Sequence, residues 1–273
     1  MRILFLTPEF PYPARGGGTI KSSTLITHLK LKHEVDLMCF RRSELSDEQT
    51  SWANAIGEVV TVEAQGERTA ANLLRSYAAG IPLSILRNRN ARFAELVLQL
   101  LGRRPFDAVF VDSWLMAQYL PRTFQGLRTL HQHNAEYVMW QRQAAYESNP
   151  LRRALVRKES GRVRRYESSI LRGFDVVFAV SELDRRALRD VGVEPGRLEL
   201  LPNVPEPGML DRPPLSSRGA GHVLLYLATL SWQPNLQGLR HFLLHTFPIL
   251  RGRLPGARLV VAGRGAPRDL VRL

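Results

Sequence analysis

Short apolar runs alternate along the chain with longer amphipathic stretches. The runs read as strands over 2–7 (RILFLT), 34–40 (EVDLMCF), 58–62 (EVVTV), 107–112 (DAVFVD), 127–131 (LRTLH), 175–180 (DVVFAV) and 197–202 (RLELLP). Between most of them the sequence predicts helices, over about 18–31, 46–56, 67–79, 90–102, 135–172 and 182–191. Strands alternating with helices predict an α/β fold, an open parallel sheet covered on both faces. DAVFVD, apolar between its terminal aspartates, has the pattern of a strand buried on both sides.

The alternation breaks at PNVPEPGMLDRPPLSSRGAG, which is rich in Pro, Gly and Ser. It then restarts with VLLYLA (223–228), a helix over about 235–252 and ARLVVAG (257–263). The expected organisation is a complete Rossmann-like domain over 1–203, a linker over 204–221 and a partial second βαβ unit over 222–273. A length of 273 residues, 44% of them hydrophobic, fits more than one core.

Cysteine usage and the N-terminus suggest a compartment. The single cysteine, Cys39, cannot pair within the chain and suits a reducing environment. The first apolar run stops at Thr7-Pro8, shorter than a secretory h-region, and no run approaches the ~18 apolar residues of a spanning helix. The expectation is a cytoplasmic protein.

The charge adds a question. The net charge is +13, and 34 of the 38 basic residues are Arg. The densest cluster is LRRALVRKESGRVRRYESSILR, from Leu151 to Arg172. Two readings stay open: the solvated basic side of a surface helix, or contact with an anionic partner, either a membrane surface at the inner face or an acidic substrate. No nucleic-acid motif and no interleaved aromatics accompany the arginines, so nucleic acid is not expected as a partner.

Candidate chemistry begins at TPEFPYPARGGGT, Thr7 to Thr19. It follows the first strand and opens a helix, where doubly wound sheets bind ligands and where backbone N–H groups can approach a phosphate. GGGT meets neither the dinucleotide G-x-G-x-x-G nor the P-loop fingerprint, and no acidic residue ends EVDLMCF, which argues against a dinucleotide-dependent oxidoreductase. No D-x-D and no Cys/His cluster with metal spacing is present, so neither a metal nor another cofactor is expected.

The order of motifs carries more than any one of them. P-x-F-P-Y-P-x-x-G-G-G, then HEVDL, HNAEYVMWQR (133–142), VSELDRRAL, LLPNV (200–204) and LATLSWQPNLQGLRHFLLHTFPILRGRLPGARLVVAGRG (227–265) together resemble family 4-like glycosyltransferases of the GT-B fold, over essentially the whole chain. The resemblance implies transfer of a sugar from a nucleotide diphosphate sugar to a glycan, lipid or small-molecule acceptor. It implies that Gly16, Gly17 and Gly18 lie beside the donor phosphates, with Arg264 as a weak stand-in for the family's basic pair at the diphosphate. It implies that His133 stands in the cleft near the donor sugar as the candidate catalytic residue. His131 reads as structural. Asp112, at a strand end, either meets an acceptor hydroxyl or caps the next segment. Asn134 is a candidate substrate contact, although capping the following helix, with Glu136 in its first turn, is its plainer role. Ser181, three residues before Asp184, reads as a helix cap.

One departure matters. The family carries E-x7-E in its second domain, for the donor sugar and the ribose, and here no Glu follows Glu206. The loop TLSWQPN also lacks the basic pair expected for the diphosphate. The expectation is therefore a chain truncated in its second domain, an impaired transferase. The alternative is a non-catalytic remnant that binds an acceptor or a membrane surface.

Overall fold

The computed structural model describes residues 1–64, 69–204, 207–214, 221–268 and 270. Residues 67 and 68 of an expected helix, and 205, 206 and 215–220 of the expected linker, lie outside them. The chain divides into two compact units, Met1–Asp211 and Arg212–Leu273.

The first unit alternates strand and helix. In order these are β1 (Arg2–Thr7), α1 (Gly17–Leu29), β2 (Glu34–Arg41), α2 (Asp47–Ile56), β3 (Val59–Glu63), α3 (Ala70–Ala78), α4 (Leu83–Leu86), α5 (Ala91–Arg103), β4 (Ala108–Asp112), β5 (Leu127–Gln132), α6 (Glu136–Tyr146), α7 (Pro150–Leu171), β6 (Val176–Ala179), α8 (Glu182–Asp190) and β7 (Leu198–Leu200). The seven strands form one sheet, β3-β2-β1-β4-β5-β6-β7, in which every neighbouring pair is parallel. The expected parallel α/β architecture is therefore the observed one.

Side chains alternate across this sheet as the pleat requires. Ile3, Phe5, Val35, Leu37, Ala108 and Phe110 belong to one apolar cluster with Ile26 of α1 and Ala53 and Ile56 of α2. Leu4, Leu6, Met38, Val109, Val111 and Leu130 belong to the other, with Phe93, Val97 and Leu100 of α5 and Val163 of α7. On the first face Phe5 stacks on Phe110 with ring centroids 4.9 Å apart, and Phe110 on Phe178 at 5.8 Å.

The single helix expected over 135–172 is two. Tyr146 ends α6, and Asn149 caps α7 by accepting from the Leu151 and Arg152 N–H groups, with Pro150 in the first turn. Proline at N1 loses no helical hydrogen bond but cannot continue a preceding helix, which explains the break. Leu171, Val163 and Glu167 are buried, but Leu151 and Leu155 are exposed, so the apolar side chains of α7 are covered only in its second half. Nor is every arginine solvated. Arg162 is buried; it donates to Glu159 at 2.6 Å, to the Ser76 hydroxyl at 2.8 Å and to the Ser76 carbonyl, while Glu159 accepts from the Leu83 N–H at 2.9 Å. This network joins α7 to α3 and α4.

The second unit holds β8 (Val223–Leu227), α9 (Gln233–His241), α10 (Phe247–Arg253) and β9 (Arg258–Ala262), with β8 and β9 parallel. A wide π turn over Phe242–Thr246 separates α9 from α10, just before Pro248, whose missing N–H breaks the ladder of the single helix expected there. Leu236 and Leu239 are buried, while Leu225, Leu227, Val260 and Val261 are exposed.

Replacing Arg162 by Met should cost about 3–5 kcal/mol of unfolding free energy, because Glu159 would be left as a buried charge without its cation. Urea unfolding measures it; a midpoint equal to that of the parent would show that the ion pair does not anchor α7.

Candidate functional site

In the observed strand order the chain reverses direction between β1 and β4. From β1 it moves outward through β2 to β3, and from β4 outward the other way. Such a switch point opens a crevice beyond the carboxyl ends of the two strands. Thr7 is the last residue of β1 and Asp112 the last of β4.

Register then fixes the neighbours. Asp112 pairs with His131 across β4 and β5. His133 lies two residues further on, where the pleat returns to the same side. Both imidazoles reach one carboxylate oxygen: His131 Nδ1 lies 2.6 Å and His133 Nε2 2.7 Å from Asp112 Oδ1. The other oxygen, Oδ2, is within bonding reach of the Ser22 hydroxyl on α1 and, at 3.4 Å, of the Thr7 hydroxyl. Ser22 also lies 2.9 Å from the Gly18 carbonyl, so its single proton serves one oxygen or the other.

Asp112 and His131 are wholly buried, whereas 28% of the His133 side chain is exposed. Burial acts to raise the Asp112 pKa, but the hydrogen bonds and charges of His131 and His133 outweigh it and hold the carboxyl well below the usual carboxylate range. Burial lowers the His131 pKa, against the pull of Asp112. Lys21, on the first turns of α1, is buried and donates to the Leu201 carbonyl; burial pushes it down to about 8, opposed by Asp112. Ser113, next to Asp112, has φ of 112°, rare for a residue with a side chain, and its N–H donates to the His131 carbonyl at 3.0 Å.

Ligand-type atoms of Asp112, His131 and His133 lie within 4.8 Å of one another. Their shortest contacts are nonetheless hydrogen bonds converging on a single oxygen, closer than two ligands of one ion usually stand. The proximity is accounted for by two N–H donors sharing one carboxylate.

Of the residues singled out from sequence, Gly18, Asp112 and His133 come together. A Cβ added to Gly18 would stand 3.9 Å from His133 Cε1 and Nδ1. Gly16 and Gly17 precede Gly18 at the start of α1, and Thr19 Oγ1 accepts from the Gly16 N–H at 3.0 Å. Asn134 is half-buried in the turn between β5 and α6. It does not cap α6: the cap position is Ala135, without a side-chain bond. The capping is done from a distance. Glu167 of α7 accepts from the Glu136 N–H at 2.9 Å, the Tyr137 N–H at 3.1 Å and Gln132 at 2.7 Å, and Asp184 accepts from the Ala135 N–H at 2.9 Å. Ser181 does cap α8, accepting from the Asp184 N–H at 3.1 Å. Arg264 belongs to the second unit; it is exposed, and its carbonyl accepts from the Leu230 N–H at 2.7 Å.

Sequence reasoning missed Ser22, Thr7, Lys21 and Glu167, and it read His131 as structural. The one available signal was H-x-H at the end of a strand, opposite a strand ending in Asp.

Residues 16–204 match the glycosyltransferase family 4 profile, more than half of the chain and nearly all of the first unit. The chain belongs to glycosyltransferase family 4. Comparison with curated proteins gives no match. Among solved structures, this family 4 chain is similar to Anabaena Alr3699/HepE in complex with UDP and glucose, at 13% identity and a TM-score of 0.53 over 100% of this chain and 64% of that one. It is also similar to the lipopolysaccharide outer core galactosyltransferase WaaB, at 14% identity and a TM-score of 0.50, over 100% and 71%. A protein assigned as a UDP-N-acetylglucosamine 2-epimerase from Listeria monocytogenes aligns at 12% identity and a TM-score of 0.53, over 99% and 64%. At these identities the neighbours show the GT-B fold alone. The chain spans about two thirds of the length of these proteins.

The carboxylates behind α6 give a pH dependence. Burial, then Glu167 and Asp184, push Glu136 up to about 8 from its ordinary 4.5. Burial pushes Glu167 up to about 7 in spite of its hydrogen bonds. A carboxyl raised on folding stabilises while protonated, and this is lost as pH rises through the folded value. Stability should therefore fall between about pH 4.5 and 8. Glu136→Gln should raise the urea midpoint at pH 8 more than at pH 5; an equal change at both would refute the assignment.

Proposed function

We propose that the crevice between β1 and β4 is the substrate site of a sugar transferase. It takes a nucleotide diphosphate sugar as donor and a glycan, lipid or small-molecule hydroxyl as acceptor, and the first unit supplies the acceptor-side wall. The observation that carries this reading is the meeting of Gly18, His133 and Asp112 at the switch point. The exposed start of α1 offers backbone N–H groups and a positive helix end to the diphosphate. His133, partly exposed at the rim, faces the sugar. Negative charge developing on the leaving diphosphate would be stabilised by these dipoles.

Within these 273 residues no Glu follows Glu206, so the two carboxylates of E-x7-E are not supplied. Each such contact to a hydroxyl contributes roughly 1.5–3 kcal/mol. Losing both weakens donor binding by roughly two to four decades. This chain should thus bind UDP-glucose in the millimolar range, with NMR shift changes confined to Gly16–Gly18, His133 and their neighbours and abolished by His133→Ala. Shifts clustered at the opposite end of the sheet would overturn the site; micromolar affinity would show that the missing carboxylates are not needed.

The first half of α7 supports peripheral contact with an anionic membrane. Leu151 and Leu155, 77% and 59% exposed, stand among the exposed Arg152, Arg157 and Lys158. Apolar side chains beside basic ones suit an interface rich in anionic lipid. Cosedimentation should favour anionic over neutral vesicles, weaken with salt and fall on changing both leucines to Ser. Equal binding to both lipids would leave a solvated basic face.

A further inference from the structure

We propose that His241 and His245 form a metal site, a two-histidine clasp for one Zn2+ or Cu2+ ion that fastens the end of α9 to the turn before α10. The site belongs to the second unit alone and does not rest on the reading of the crevice.

The spacing comes first. His241 is the last residue of α9, and His245 stands four residues on, inside the π turn Phe242–Thr246. Residues four apart on a helix are neighbours on one face, the spacing with which a helix presents two imidazoles to zinc. The wide turn keeps them together: their ring centroids lie 4.7 Å apart, with an interplanar angle of 47°. Two imidazoles bound to one ion at about 2.0–2.1 Å, between a right angle and the tetrahedral angle, have centroids about 4.5–5.2 Å apart. The pair therefore already stands at ligating separation. Both residues are exposed, and neither ring makes a hydrogen bond or ion pair with a described residue. In this they differ from His131 and His133, each of which has a nitrogen committed to Asp112.

The surroundings choose the ion. From Arg212 to Leu273 the chain has nine arginines and a single acidic residue, Asp269. Hard cations such as Mg2+ and Ca2+ are held by oxygens, carboxylates above all, and these are scarce here. Imidazole lone pairs suit Zn2+ and Cu2+ instead. Among the described residues no third imidazole, thiol or carboxylate joins the pair, so water fills the remaining positions of the ion. The expectation that the chain holds no metal rested on the lack of a Cys/His cluster; a pair four residues apart is a smaller signal. Its place in the helix gives it a use. The α-helical ladder is interrupted over Phe242–Thr246, before Pro248, and wide turns of this kind recur at functional sites. An ion shared by His241 and His245 ties the two sides of that interruption together.

The test is 15N NMR of the histidine-labelled full chain titrated with Zn2+, with His241→Ala and His245→Ala used to assign the signals. Zn2+ should move the ring-nitrogen signals of His241 and His245 together, to a one-to-one end point, and Mg2+ should move neither. Each Ala variant should weaken Zn2+ uptake at the pair by roughly tenfold or more, since even an outer-shell partner of a ligand contributes that much. Both side chains are exposed, so the variants should fold as the parent does. Hydrogen exchange of the Phe242–Phe247 amides should slow with Zn2+ in the parent and not in either variant. Signals of the pair unmoved by Zn2+, uptake confined to Asp112, His131 and His133, or an affinity unchanged in both variants would overturn the site. Binding at the pair without slower exchange would overturn the clasp and leave the site.

Discussion

One carboxylate organises the end of this sheet. Asp112 is buried with four protein groups within reach of its two oxygens, and these come from β1, α1, β5 and the turn beyond β5. An uncompensated charge in that position would cost several kcal/mol, so the ionised form persists only because its partners are in place. Those partners need three strands in register and α1 docked over β1 and β4. The same requirement explains why Ser113 tolerates a positive φ: its N–H is committed to the His131 carbonyl, and the turn is set by what Asp112 must reach. A site of this kind is specified by the sheet as a whole.

Much of the sheet was legible in the sequence. All seven strands of the first unit were expected within about two residues of where they lie, because each is a compact apolar run flanked by polar turns. DAVFVD has the pattern of a strand buried on both sides, and as β4 it occupies the centre of the sheet. The helices were harder. The break between α6 and α7 depends on Ser148-Asn149-Pro150, three residues inside a stretch otherwise uniform in helix-forming side chains. The exposure of Leu151 and Leu155 could not be read from periodicity, which marks an apolar position without saying whether anything covers it.

The site was legible in part, for a physical reason. Gly18, Asp112 and His133 each stand just after a strand's carboxyl end, and in a doubly wound sheet that position alone marks a candidate. What the sequence hides is register. That Asp112 faces His131, and therefore shares an oxygen with His133, follows from the pairing of β4 with β5, which no local pattern announces. The capping of α6 was misassigned to Asn134 for a related reason. The nearest polar residue in sequence was favoured over Glu167 and Asp184, which lie 31 to 49 positions away in the chain. Propensity sees neighbours; burial lets distant carboxylates do the same work.

The glycines show where packing within the chain ends as an explanation. A Cβ on Gly126 would fall 2.6 Å from the Asp107 carbonyl oxygen, and one on Gly263, at φ of 150°, 1.7 Å from that of Ala228; at both positions the chain's own backbone demands glycine. The triplet Gly16–Gly18 is different. A Cβ on Gly17 would meet nothing within 4 Å, and those on Gly16 and Gly18 would meet only side chains at ordinary contact distance. Gly16 itself is extended, at φ of −147°, a conformation open to any residue. Gly16 stands at the N-cap, where glycine costs little, but Gly17 and Gly18 fall in the first turn, and glycine inside a helix costs up to roughly 0.5–1 kcal/mol relative to Ala. A chain that carries three there, without a steric reason of its own, leaves open backbone beside a histidine whose ring is anchored from behind. That supports the reading in which the space in front of the loop belongs to a ligand.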